Sequence, residues 1–263
     1  MTGKQYTAEL SKGQGMIEET IALLNCWEPG MTVSQLKEKV RQNGIIDRAT
    51  ALRVEDIVGR LFALRYMGDD GGAAKNLKLL LNLDVPVSAL TQIFFLYTAR
   101  AHVIFHDFVC DTYWGKYSAG ATYITRQDAL GFVERAKNVG LIDPPWSEST
   151  TVRIARYLGT ALMNFGLAGK DRSGKREIQS FTINNLTTLY LAHSLHFTGI
   201  SDNGILESRD WKLFGLEPMD VYRQLARISG NHFIVQFSGD LLRMSWKYKT
   251  MEDALRAIVE TEL

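Results

Sequence analysis

Along most of the chain apolar residues recur at steps of three and four, the spacing of one face of an α-helix. They switch to alternation in only a few places. The clearest run is Trp146 to Ile183. Val152, Ala155, Leu158, Leu162 and Phe165 fall on one helical face, while Arg153, Arg156, Thr160 and Asn164 lie elsewhere on the same cylinder. Ser147, Ser149 and Thr150 stand where side-chain oxygens cap the free N–H groups of a helix start. After Gly166 the pattern breaks into a turn-rich stretch, Ala168 to Arg176, carrying Lys170, Arg172, Lys175 and Arg176 against one anion, Asp171. Ile178, Ser180 and Thr182 then alternate with Gln179, Phe181 and Ile183, which predicts a short strand. An amphipathic helix followed by a basic-tipped hairpin is how a winged helix reads in sequence. In that unit the helix enters the DNA major groove and the hairpin tip touches the adjacent backbone. Winged helices also serve as protein–protein modules, so on this stretch alone both roles stand.

The same periodicity predicts the rest. Tyr6 to Leu10 reads as a short extended arm and Gly15 to Trp27 as a helix, stopped by Glu28–Pro29–Gly30. Thr32 with Gln35 makes a capping-box pattern that opens a helix running to about Gln42. A second helix, about Thr50 to Tyr66, presents Val54, Ile57, Val58, Leu61 and Leu64 on its apolar face. Arg48, Arg53, Arg60 and Arg65 occupy the remainder. Helix, short Gly-containing turn, helix fits a helix-turn-helix. Packing helices follow over Ala73–Leu83, Pro86–His102 and on to Trp114, with Gly115–Ala121 as a linker. Thr125 with Asp128 opens a helix that Gly140 ends. Beyond the wing come a helix at Asn185–Phe197, an irregular stretch anchored by Trp211 and Phe214, and a helix from Pro218 to Ile228. Strands follow at His232–Phe237 and Leu241–Tyr248, joined by the turn Ser238–Gly239–Asp240, and Thr250 with Asp253 caps a last helix. The expected fold is mainly α, a helical assembly with helix-turn-helix and winged-helix units and short β-hairpins. Its expected parts are an N-terminal helical domain over 1–115, a winged-helix-like unit over 116–184 and a helix-hairpin-helix region over 185–263.

Two turns look alike: Val40 to Arg48 (VRQNGIIDR) and Ala136 to Pro144 (AKNVGLIDP), with Arg53 and Gly59 answering to Arg153 and Gly159 further on. Duplication of a helix-turn-helix and chance similarity between amphipathic hairpins both account for this.

Charge narrows the choice of partner. Thirty cations against 29 anions leave a net charge of +1. No global field draws the protein to nucleic acid, so any DNA site must be a local patch whose affinity is modest and salt-sensitive. Cys26 and Cys110, distant and in apolar contexts, read as reduced buried thiols of a cytoplasmic protein. The N-terminus lacks the apolar run of a signal peptide. The most apolar stretch, Val85 to Ala99, is too short to span a bilayer. His102 and His106 have a metal-compatible spacing but no third ligand, so neither metal nor cofactor is expected. No phosphate-cradling loop, dinucleotide fingerprint, nucleophile elbow or CxxC is present, and nothing in the sequence calls for an enzyme.

The ordered set of local motifs resembles one family. Tyr6 to Leu10 precedes Glu18 and Glu19, and Trp146, Arg153 and Phe165–Gly166–Leu167 follow in order. The most specific residues are C-terminal: Asp210–Trp211, Phe214–Gly215–Leu216, Asp220–Val221, His232 to Gln236, Gly239–Asp240, Ser245 to Tyr248 and Met251–Glu252. Nearly the whole chain is similar to BrxA, a small component of the BREX bacteriophage-exclusion systems of bacteria. The resemblance implies helix-turn-helix and winged-helix parts, binding of double-stranded DNA, and action beside a methyltransferase, an ATPase and other defence components. Members have also carried an inner-membrane label, which the hydropathy of this sequence opposes. The resemblance carries over no enzymatic residue. The DNA-contacting set comes from charge and helix position: Ser147, Ser149 and Thr150 toward phosphates, Arg153 and Arg156 toward the groove, and Lys170, Arg172, Lys175 and Arg176 on the backbone. Arg48 and Arg53 belong to the first helix-turn-helix. The expected function is non-enzymatic, low-specificity binding of double-stranded DNA within a defence system. The alternative is an adaptor that holds the other components together.

Overall fold

A computed structural model describes residues 5–46, 50–68, 71–238 and 241–262. The chain divides into two compact units, residues 1–73 with 94–181, and residues 74–93 with 182–263. The architecture is mainly helical, with two short antiparallel hairpins, as the periodicity predicts.

In the first unit several helices begin where the sequence supplies a cap. The Thr32 hydroxyl accepts from Gln35 N–H and the Gln35 side chain answers the Thr32 N–H, opening Val33–Gln42. Thr125 and Asp128 do the same for Arg126–Asn138. Ser147 caps Glu148–Asn164 by accepting from Thr150 N–H at 3.3 Å. The core is phenylalanine-rich. Phe95 lies 5.5 Å from Phe165 and 5.8 Å from Phe105, and Phe108 lies 5.3 Å from Phe132. Each such ring contributes roughly 1.5–3 kcal/mol by leaving water.

Three expectations are revised here. The helix of Ala51–Val54 continues without a break as a wider π-type coil over Glu55–Met67. Its buried face follows Ile57, Leu61 and Arg65 and, beside them, Ile57's neighbour Val58 with Phe62 and Tyr66. These steps of four match a coil wider than 3.6 residues per turn. The change of phase turns Leu64 out to solvent and brings Arg65 inside, the reverse of the sequence expectation. The arm extends only as far as Tyr6, whose N–H donates to the Leu141 carbonyl, and then coils into a 3-10 turn over Glu9–Lys12. The linker expected at Gly115–Ala121 begins as helix instead, over Trp114–Ser118.

The second unit packs Asn185–Phe197 with Met251–Glu262, Pro218–Ile228 and a hairpin of Phe233–Ser238 with Leu241–Trp246. The turn expected at Ser238–Gly239–Asp240 falls partly outside the described residues. Side chains of Asp202 and Asn203 accept from the backbone N–H groups of Met244 and Leu242 at 2.9 and 2.8 Å. The free edge of the hairpin is thereby covered. The stretch expected to be irregular holds a short helix, Asp202–Leu206, and a 3-10 turn, Arg209–Phe214, anchored by the Trp211 indole N–H on the Ile205 carbonyl.

No single helix among the described residues is long and apolar enough to cross a membrane. The apolar pair Val87–Ala101 and Val103–Ser118 is bent by 114° at its junction.

Candidate nucleic-acid interface

The hairpin after Glu148–Asn164 pairs Ala168–Lys170 with Arg176–Ile178, so its second strand ends at the residue where the alternation places the strand's start, and 179–183 form no strand. A third segment joins it. Ile178 N–H donates to the Thr122 carbonyl and Ile124 N–H to the Arg176 carbonyl, and Tyr123 bridges to Glu177. Asp171 builds the turn. Its Oδ1 accepts from the N–H groups of Ser173 and Lys175, both at 2.8 Å, and from the Ser173 hydroxyl at 2.7 Å. These bonds to Ser173, then to Lys175 and Tyr123, hold its carboxyl below the ordinary range. The one anion of the tip is therefore engaged in shaping the loop that displays the cations.

Between this sheet and the helix runs a recess of about 530 Å³. Its cationic lining is Arg126, Arg156, Lys170, Lys175 and Arg176, with Thr160, Met163 and Tyr123 between them and no carboxylate among the described residues. Arg156, Thr160 and Met163 follow one another by four and three residues, so a single helical stripe forms one wall. Arg153 lies one turn earlier on the same exposed side.

The cations are held differently. Arg156 packs over the Tyr157 ring at 4.9 Å and donates to its hydroxyl. Lys175 lies 5.5 Å above the Tyr123 ring. Both keep an exposed charge on a defined position, and Lys170 and Arg172 are exposed at the tip. Arg176 is half-buried. Its guanidinium lies across Gly159, where an added Cβ would sit 2.6 Å from Cζ, and it donates to the Arg156 carbonyl at 3.4 Å. Burial lowers its pKa. Arg176 thus ties the hairpin to the helix and is the least available of the tip cations.

Of the sequence-selected residues, Arg156, Lys170, Lys175 and Arg176 line this one recess. Ser147, Ser149 and Thr150 sit at the helix start, engaged with one another: Ser147 Oγ lies 3.1 Å from Ser149 Oγ and donates to Thr150 Oγ1. Arg53 belongs elsewhere, since its guanidinium donates to the Lys12 carbonyl at 2.8 Å. Arg48 lies outside the described residues. Arg126 and Tyr123 escaped the sequence selection. Only the pairing of Tyr123 with Glu177 carries them to the hairpin, and no local pattern encodes that pairing. His102 and His106 serve packing: the first accepts from Arg65, the second pairs with Asp107 at 2.9 Å. Among the described residues no group of three metal-ligating side chains exists.

Fold and recess together describe a mainly helical protein with a cation-lined groove between a capped helix and a three-segment sheet. The family model for BrxA matches residues 4–194, and the chain belongs to the BrxA family, components of the BREX phage-defence systems. None of the curated proteins matches. A solved structure of an uncharacterized protein from Magnetospirillum magneticum is similar at a TM-score of 0.58 and 18% identity, over 73% of this chain and 95% of that one. That likeness concerns the fold alone.

Proposed function

We propose that Arg126–Asn138, Glu148–Asn164 and the following hairpin form a winged helix that holds double-stranded DNA, chiefly by its phosphates and with little sequence preference. The protein acts as a non-enzymatic member of the defence system, beside components such as a methyltransferase and an ATPase. The observation that carries this is the recess itself. In a chain of net charge +1, five cations converge on a groove with no carboxylate among the described residues of its lining. Arg153 and Arg156 face the groove of the duplex, Lys170, Arg172 and Lys175 follow one strand's backbone, and the N-terminal turn at Ser147–Thr150 receives a phosphate. Arg176 positions the wing and Arg53 braces the chain near Lys12, so neither is a principal contact.

Fluorescence anisotropy of a labelled duplex at about 50 and about 200 mM salt tests this, since phosphate contacts make affinity fall steeply with salt. The variant Lys170→Glu with Lys175→Glu should weaken unrelated duplexes about equally and reduce the salt slope by about 2. Unchanged affinity in that variant would refute the groove assignment. Leu52 and Leu64, 70% and 51% exposed on one helix, favour a second role as an assembly adaptor. Scattered exposed leucines are ordinary, however, and weigh less than the clustered charge.

A further inference from the structure

Arg65 is the anomaly of the first unit. Only 4% of it is exposed, and its guanidinium donates to the Gly13 carbonyl at 2.6 Å and to His102 Nε2 at 3.4 Å. Neither acceptor carries charge. His102 is held neutral, its pKa pushed down to about 3 by burial and then by Arg65 itself, and its Nδ1 has no partner. Among the described residues no carboxylate pairs with Arg65. Asp56, the buried acid of the same helix, is engaged with Lys12 at 3.3 Å and Arg60 at 3.7 Å. A buried cation without a counter-charge is costly, and the cost is relieved when an anion reaches it.

Arg65 also forms part of the wall of an open recess of about 420 Å³. The other polar groups there are Gln5, Thr7, Tyr97 and Arg100, and no acidic residue is among the described residues of the lining. Arg100 is set by its own packing, 5.3 Å over the Tyr97 ring. Two guanidinium groups, an amide and two hydroxyls line one opening, groups of the kind that recognise a multidentate oxyanion. The volume exceeds what one phosphate needs and falls within the range of small-ligand sites. No residue is shared with the cationic groove beside the hairpin.

We propose that the recess lined by Gln5, Thr7, Arg65, Tyr97 and Arg100 is a binding site for a phosphate group, either free or carried by a nucleotide, separate from the DNA-binding groove. Arg65 supplies the counter-charge from below, and Arg100 closes on the anion from the side.

The full chain is tested by thermal denaturation in increasing sodium phosphate, against sodium chloride at matched ionic strength. A nucleoside monophosphate forms a second arm. Phosphate should raise Tm saturably, by about 2–4 °C for each tenfold excess over Kd. The shift should be lost in Arg100→Gln, a change at a partly exposed residue to which neither Arg65 bond described above goes, and kept in Lys170→Glu with Lys175→Glu. A nucleoside monophosphate acting at lower concentration than phosphate assigns the site to nucleotides, and equal potency assigns it to the free ion. Absence of a saturable shift overturns the proposal, as does a shift unchanged in Arg100→Gln. A shift that disappears only in the Lys170/Lys175 variant would move the phosphate to the hairpin groove and also overturn it. Duplex binding is measured separately, so failure here leaves the DNA-binding proposal standing.

Discussion

Acid should destabilise the second unit through one histidine. His193 is fully buried, with rings of Trp246 at 5.0 Å, Phe233 at 5.8 Å, Tyr248 at 6.0 Å, Phe197 at 6.3 Å and His232 at 6.4 Å. Its Nδ1 donates to the Leu189 carbonyl at 2.8 Å, and its buried Nε2 has no partner to receive a proton's charge. Burial, outweighing the Leu189 bond and aided by His232 and His196, lowers its pKa from 6.5 to about 4. The unfolded chain therefore takes up this proton at higher pH than the folded one. The stability associated with neutral His193 is fully present above pH 6.5, is lost progressively as pH falls toward about 4, and changes no further below that. Between about pH 7.5 and about pH 5 the loss is about 2 kcal/mol. Urea denaturation followed by circular dichroism at several pH values, on wild type and His193→Leu, isolates the effect. The lost Leu189 bond is a constant offset, and the other histidines titrate in both proteins, with His196 and His232 adding a smaller term to the difference through their coupling to His193. The two curves should converge by about 2 kcal/mol on acidification. Parallel curves over that range would refute the assignment of a buried neutral imidazole.

Two further outcomes follow from the first unit. Phe165→Ala removes a ring that is 2% exposed and packed against Phe95 and Phe105, so urea denaturation should show a loss of about 3–5 kcal/mol. Asp171→Ala removes the acceptor that folds the hairpin tip, so trypsin should cut near Lys170, Arg172 and Lys175 several-fold faster, while global stability changes by less than about 1 kcal/mol.

Local chemistry made much of the fold legible in advance. The capping pairs Thr32/Gln35 and Thr125/Asp128 and the cap at Ser147 act within four residues, and each helix begins where they stand. The buried face of Glu148–Asn164, with Ala155, Leu158 and Leu162, follows from the same short-range periodicity. Arg65 was misjudged because a π-type coil shifts the buried stripe, and an arginine in that phase looks the same in sequence as one facing water. The basic groove was half legible. Its helix and hairpin cations lie within one continuous stretch, but Arg126 and Tyr123 arrive by strand pairing across some fifty residues, a relation that only tertiary structure records. Arg53, chosen for its charge, is occupied by a backbone carbonyl.

Gly159 and Arg176 have a consequence for how this hairpin can change over evolutionary time or be transplanted by design. The guanidinium fills the space that any β-carbon at 159 would claim. The two positions are therefore coupled: a side chain at 159 obliges the end of Arg176 to move off the helix, and contacting sites of this kind do not vary additively. A hairpin grafted from a relative must bring a residue at 176 that suits position 159, or that side chain must rearrange against the helix it is meant to accompany.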